Sequence, residues 1–447
     1  MQAPKFYAHI NYEDPYVQPL IHKAFRSILP YGSYRFVESL DNIIDPNAPT
    51  FQWLQYESIN WDHLLQTPAA ALANAYVIRK ALIRKHYLST TVANWITKHP
   101  GSVLKKHVRP SVEFEVDYAE FLDDALVEAY ELRESWERNA SQQDDAKKEY
   151  WILKPGMSER GQGIRLFSSE EELTSIFEEW DPESDDEDED ARSDTEDSPS
   201  KDDSKKEEGN GIITSQLRHF IAQPYIHPPL LFTSPSSPNA NKKFHIRTYV
   251  LAVDALKVYV YKPMLALFAA QPYRPPWESA NDADGLRAHL TNTCLQDTNE
   301  REGSVSLFWS LPNDLSTSNP PPHHAASQQN WKEDIFSQIC KVTGEVFEAA
   351  ARSMSIHFQP LPNAFEIFGL DFLVGSDAEG GLTTFLLEVN AFPDFRQTGN
   401  DLKGLVEGLF AGVVERAIAP FFDLGKDGVR KREDEMVRVL DIDLGRR

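Results

Sequence analysis

The 447-residue chain is 41% hydrophobic and 11% aromatic, enough to bury a sizeable core and to divide into two or three domains. Its net charge of −24 argues against nucleic acid as a general partner, because neutralising phosphates needs a basic face. Two cysteines are too few for a disulfide framework, no apolar run reaches the roughly 18 residues of a membrane helix, and the first residues lack a secretory pattern. The expectation is a cytoplasmic protein without membrane attachment.

Residues 1–75, with an aromatic run over 51–61, read as a small N-terminal α/β domain. A second region, 76–226, begins with a helix expected over 69–87 and a second over 118–138. A strand over 150–153, a loop rich in small and charged residues, a strand over 163–167 and a third strand over 220–225 follow. Between the last two strands lies an insertion, 181–211, without an aromatic or branched aliphatic residue. Its first 28 residues hold 15 acids and 4 bases, so it carries −11 of the net charge and reads as a disordered loop within one domain.

The third region, 227–425, has strands over 244–253 and 257–261 joined by a turn at Asp254 and Ala255. A helix over 331–354 follows, from the spacing of Ile335, Ile339, Val342 and Val346. Strands over 365–374 and 383–390 then flank a Gly-rich turn, a helix covers 402–418, and 426–447 is a tail. Antiparallel strands alternating with separate helices make an α+β pattern. His323 and His324 stand in a Pro-rich connector without a second ligand cluster and are not expected to bind metal.

Three oxygen donors mark the last strand pair. Glu388 and Asn390 are two residues apart and share one face, and Asp371 lies on the strand before them. Hard carboxylate and amide oxygens suit Mg²⁺, which takes one or two carboxylates and completes its shell with phosphate oxygens. Lys154 closes the strand before Pro155-Gly156-Met157-Ser158-Glu159-Arg160-Gly161-Gln162-Gly163, a loop whose backbone N–H groups with a lysine at their root form a candidate phosphate clamp.

The ordered stretches WILKPGMSERGQGI, IHPPLLF, KFHIRTYVL, HLTNTCLQ, FGLDFLV and LLEVNAFP resemble the tubulin-tyrosine ligase family over 76–425. That resemblance implies an ATP-grasp fold and an ATP-dependent carboxylate–amine ligase working through an acyl-phosphate. By it, Lys154, Arg247 and Lys80 serve the phosphoryl chemistry, and Arg160, Gly161 and Gly163 belong to the nucleotide-binding loop. Gln223, Tyr225 and Ile226 line the adenine pocket, Lys243 sits beside the triphosphate, Thr291 and Asn292 lie on the acceptor side, and Asp371, Glu388 and Asn390 hold Mg²⁺. The wording of HLTNTCLQ and IHPPLLF is closer to the tyrosine ligase branch, so tyrosine and the acidic tail of tubulin are the first-choice substrates. Arg79, Lys80, Arg84, Lys85, Lys105, Lys106 and Arg109 are candidates to meet that tail. A monomer is expected.

Four positions depart from the family. His245 stands where an acid is usual, Pro224 where a lysine is common, and Lys262 and Leu267 where arginines are frequent. Two alternatives therefore stay open: a ligase adding glutamate or another amino acid to a protein, and a nucleotide-binding but catalytically quiet interaction module.

Overall fold

The computed structural model describes residues 4–45, 47–156, 162–180, 217–233, 239–279, 283–291, 303–315, 318–319, 330–376, 381–424 and 435–445. They form two compact units: Met1–Pro110 with Ile226–Arg447, and Ser111–Tyr225.

The larger unit opens with four parallel strands, β1 (Phe6–Asn11), β2 (Tyr34–Val37), β3 (Thr50–Leu54) and β4 (Ala71–Ala73), in the order β2-β1-β3-β4. Phe6, Phe25, Phe51 and Trp53 fill their core. The helix expected over 69–87 is not formed. Thr50, Phe51 and Gln52 pair with Ala71, Leu72 and Ala73, and the chain becomes helical only at Lys80–Ile83 and Lys85–Lys98. Alanine's helix preference is a few tenths of a kcal/mol per residue over most residues, and complete burial against β3 overrides it.

The smaller unit is one antiparallel sheet, β5 (Val112–Glu115), β6 (Trp151–Pro155), β7 (Arg165–Phe167) and β8 (His219–Pro224), ordered β5-β8-β6-β7. The helix expected over 118–138 is broken into a 3₁₀ turn at Ala119–Phe121, a short helix at Leu122–Ala125 and a longer one at Tyr130–Ala140. Leu122, Leu126, Ala129 and Leu132 all lie in the core beside Phe177 and Phe220.

Returning to the larger unit, a short pair joins β9 (Leu231–Phe232) to β14 (Ser318–Asn319). The main sheet is built on β10 (Phe244–Val253), with β11 (Lys257–Tyr261), β12 (Leu265–Phe268) and β13 (Val305–Leu307) to one side. On the other side lie β15 (Phe365–Ser376) and β16 (Leu382–Ala391), and β17 (Met436–Asp441) pairs with β11. The expected helix is present as Trp331–Ser353 and buries Ile335, Ile339, Val342 and Val346 with Ile246, Val250, Phe368, Leu370 and Phe372. By alternation along the strands, His245, Arg247 and Asp371 take the opposite face of the sheet. The helix Lys403–Val413 and the N-terminal strands cover the Tyr249 end of that face. Among the described residues no helix is long and apolar enough to cross a membrane.

Candidate functional site

Register brings the polar residues of the main sheet into one row. Arg247 of β10 stands opposite Asp371 of β15, and Asp371 stands opposite Glu388 of β16. A bulge follows at once, because Phe372 pairs with Leu386 and skips Leu387. The extra residue keeps Leu386 facing the core while Glu388 and Asn390 face the row. Arg247 donates to both oxygens of Asp371, through Nε to Oδ1 and through Nη2 to Oδ2 at 2.9 Å, and both side chains are buried. Burial by itself would lower the Arg247 pKa, but Asp371 beside it more than compensates and raises it. Gly369 makes this reach possible: a Cβ there would lie 3.2 Å from Arg247 Cδ and 3.0 Å from Pro393 Cβ.

Asn390 Nδ2 lies 3.3 Å from Asp371 Oδ2 and 3.2 Å from Glu388 Oε1, so the amide bridges the two acids. Lys85 approaches from the start of its helix, with Nζ 3.6 Å from Glu388 Oε2. His245, two residues before Arg247, bonds Thr291 Oγ1 through Nδ1 at 2.5 Å. Its Nε2 is buried without a hydrogen-bond partner, 3.5 Å from Asp371 Oδ1. Burial lowers the pKa of this imidazole, which favours its neutral form.

Thus Arg247, Asp371, Glu388 and Asn390 come together, and Thr291 joins them through His245. Lys243 is buried just ahead of β10, and Ile226 packs with Leu373 and Phe385. Lys80 is exposed at the start of its short helix, while Lys85, five residues on, reaches the row. Lys85 was legible only as one more base in RKALIRKH, since the phase of two short helices decides which lysine turns inward. Arg160, Gly161 and Asn292 lie outside the described residues. Two departures are also placed: Leu267 is buried opposite His245, and Lys262 pairs with Glu333 at 3.0 Å over the Trp309 ring.

In the smaller unit Lys154, at the end of β6, donates to Gln223 Oε1 of β8 at 2.8 Å. Tyr225 N–H bonds Tyr150 O at 2.8 Å and holds the strand end to β6. Gly163 has a φ of +71°, and a Cβ there would lie 2.6 Å from Pro155 Cγ. Only glycine lets the returning loop close over β6.

The candidate basic surface is thinner than its sequence suggests. Arg79 is buried with Nε 2.8 Å from Glu366 Oε1, misaligned for a hydrogen bond, and its guanidinium stacks 3.8 Å from the Tyr56 ring. Arg109 stacks on Phe385 at 4.5 Å, and Lys85 faces Glu388.

Asp371, Glu388 and Asn390 offer two carboxylates and an amide oxygen. No cluster of three or more His, Cys, Asp or Glu side chains is placed to hold a metal among the described residues. Such a partial set of hard donors fits Mg²⁺ shared with phosphate oxygens better than a closed protein cage.

The sequence profile of the Tubulin-tyrosine ligase family matches residues 82–425. The chain belongs to the tubulin-tyrosine ligase family. It is 44% identical over 415 residues to a "Probable tubulin–tyrosine ligase" of Schizosaccharomyces pombe, covering 93% of this chain and 92% of that protein. It is 40% identical over 442 residues to "Probable tubulin–tyrosine ligase PBY1" of Saccharomyces cerevisiae, covering 95% of this chain and 53% of that protein, so it spans about half of that relative. A human tubulin polyglutamylase, TTLL13, is 32% identical over 188 residues, covering 40% of this chain and 21% of the relative. Among solved structures, the C-terminal domain of K. lactis Pby1 has a TM-score of 0.67 at 35% identity and covers 98% of this chain and 99% of its own. It is described as an ATP-grasp enzyme interacting with the mRNA decapping enzyme Dcp2. This family member therefore has the α+β ATP-grasp fold.

Proposed function

We propose that this protein is an ATP-dependent ligase that joins an amino acid, tyrosine first, to the C-terminal carboxylate of α-tubulin. The row Arg247–Asp371–Glu388 with Asn390 carries the reading. It sets two acids, an amide and a buried guanidinium on one face of a family member matched by probable tubulin–tyrosine ligases.

In the reaction an acceptor carboxylate oxygen attacks the γ-phosphorus of ATP, the bond to the bridging oxygen breaks, and ADP leaves. The amine nitrogen of the amino acid then attacks the acyl carbon, phosphate leaves, and the amine gives up a proton. No side-chain nucleophile is needed, so the residues act by positioning and charge. Lys154, oriented by Gln223, supplies a cation to the phosphates at the root of the Gly163 loop. Arg247, oriented by Asp371, and Lys243 supply charge at the transferring group. Asp371, Glu388 and Asn390 would hold Mg²⁺, which supplies charge neutralisation of the phosphoryl oxygens when bound. Thr291, held by His245, stands on the acceptor side.

A second reading follows from the K. lactis neighbour's interaction with a decapping enzyme: a nucleotide-binding protein whose task is to engage a protein partner. The commitment of Arg247 to Asp371 and the neutral His245 favour it.

Phosphate release from ATP·Mg²⁺ with purified tubulin and tyrosine, glutamate or glycine separates these. Tyrosine-dependent turnover that disappears in the Asp371→Ala, Glu388→Ala double variant is the expected result. Turnover only with glutamate or glycine would rename the substrate. Nucleotide binding without amino-acid-dependent turnover would leave the interaction reading.

A further inference from the structure

Both carboxylates of the β15–β16 row carry a cation from the protein, and the two cations are held in different ways. Arg247 is fixed. It lies on a strand paired on both sides, its side chain is 6% exposed, and it grips both oxygens of Asp371 with Gly369 clearing its path. Lys85 is not. It touches Glu388 once, at 3.6 Å, beyond hydrogen-bond length, from the first residue of a helix, with a side chain 19% exposed.

A divalent ion shared between Asp371 and Glu388 would stand within a few ångströms of both cations, and like charges that close repel strongly where water is scarce. One cation must give way. The guanidinium would abandon two hydrogen bonds and leave a buried carboxylate, whereas the ammonium has a flexible four-carbon stem and a route to solvent.

We propose that Lys85 is the exchangeable counter-ion of this row: it holds Glu388 in position and yields it to a divalent cation. The released ammonium, with three donors, then meets the phosphate oxygens that accompany the metal. Lys85 is thus a positioning residue for Glu388 and a phosphate contact afterwards. The inference rests on the proposed reading of Asp371, Glu388 and Asn390 as the magnesium row.

Mn²⁺, a hard ion visible by electron paramagnetic resonance, is the probe. It is titrated into the full chain and into Lys85→Met, Lys85→Arg and Glu388→Gln, first alone and then with a non-hydrolysable ATP analogue. Lys85→Met is expected to tighten Mn²⁺ alone by about fivefold, the equivalent of a partly exposed ion pair. The same variant is expected to weaken the analogue at saturating Mn²⁺ by a similar factor, and Lys85→Arg to stay near the parent in both. A merely structural lysine would move both affinities in the same direction. Unchanged Mn²⁺ affinity in Lys85→Met, with binding still lost in Glu388→Gln, would overturn the counter-ion role while leaving the metal row standing. Mn²⁺ binding indifferent to Glu388→Gln would overturn the row and the proposal with it.

Discussion

Replacing Arg247 with methionine removes both bonds to Asp371 and leaves a carboxylate that is 2% exposed without a cation. Breaking one side of a buried pair typically costs about 3–5 kcal/mol, a large part of the roughly 5–15 kcal/mol that holds a domain folded. Asp371→Asn attacks the pair from the other side but keeps one acceptor for the guanidinium, so about 2–3 kcal/mol is expected. The double variant Arg247→Met, Asp371→Asn removes both charges and should be more stable than Arg247→Met alone, because no uncompensated ion remains. Urea unfolding followed by tryptophan fluorescence gives the midpoints of all four proteins. Single changes each costing under about 1 kcal/mol and adding without coupling would refute the buried-pair argument. Binding of a fluorescent ATP analogue to the folded double variant then separates strut from site. Lost binding is the expected result, and parental affinity would make the pair a structural brace.

Burial pushes the Glu366 carboxyl up from 4.5 to about 7, although Arg79 beside it pulls the other way. The folded chain therefore binds a proton that the unfolded chain has lost. The contribution of Glu366 to stability is most favourable below about pH 4.5 and declines as pH rises toward about 7, by up to about 3 kcal/mol. Glu366→Gln should flatten this decline in thermal unfolding between pH 5 and 7.5, and an unchanged slope would remove Glu366 as its source. Gly163→Ala meets both a φ of +71° and a Cβ 2.6 Å from Pro155. A loss of about 1–3 kcal/mol is expected, with weaker nucleotide binding; unchanged midpoint and affinity would show that the loop has another way to close. Gly369→Ala pushes on Arg247 Cδ, and should lower both stability and nucleotide affinity less than Arg247→Met does; an effect as large would mean that the close approach of Pro393 dominates.

Much of the main sheet was legible because local and long-range preferences agree. Residues 244–253 alternate under strong β-formers, and Asp254, at a φ of +57°, turns the chain into β11 where expected. The helix Trp331–Ser353 declared itself through a 3.6-residue apolar stripe that the core uses. Ala71–Ala73 could not declare itself. A leucine between two alanines carries too short a pattern to show a strand period, and only pairing with Thr50–Gln52, some twenty residues away, makes them a strand. Likewise, the break before Tyr130 has no proline or glycine to announce it.

At the site, period-2 spacing was enough to put Glu388 and Asn390 on one face, but it says nothing of which charge meets which. That is decided by register, which sets Arg247 against Asp371 and Asp371 against Glu388, and by helix phase, which turns Lys85 inward and leaves Lys80 exposed. The consequence for His245 follows from the same geometry. An acid in its place would add a third negative charge beside Asp371, whereas a buried imidazole disfavoured in its charged form adds none. Two carboxylates then face two cations, Arg247 and Lys85, and the row as a whole does not repel a polyphosphate. The departure that weakens the case for an ordinary metal shell thus removes one obstacle to binding the nucleotide, which is why nucleotide affinity and turnover have to be measured separately.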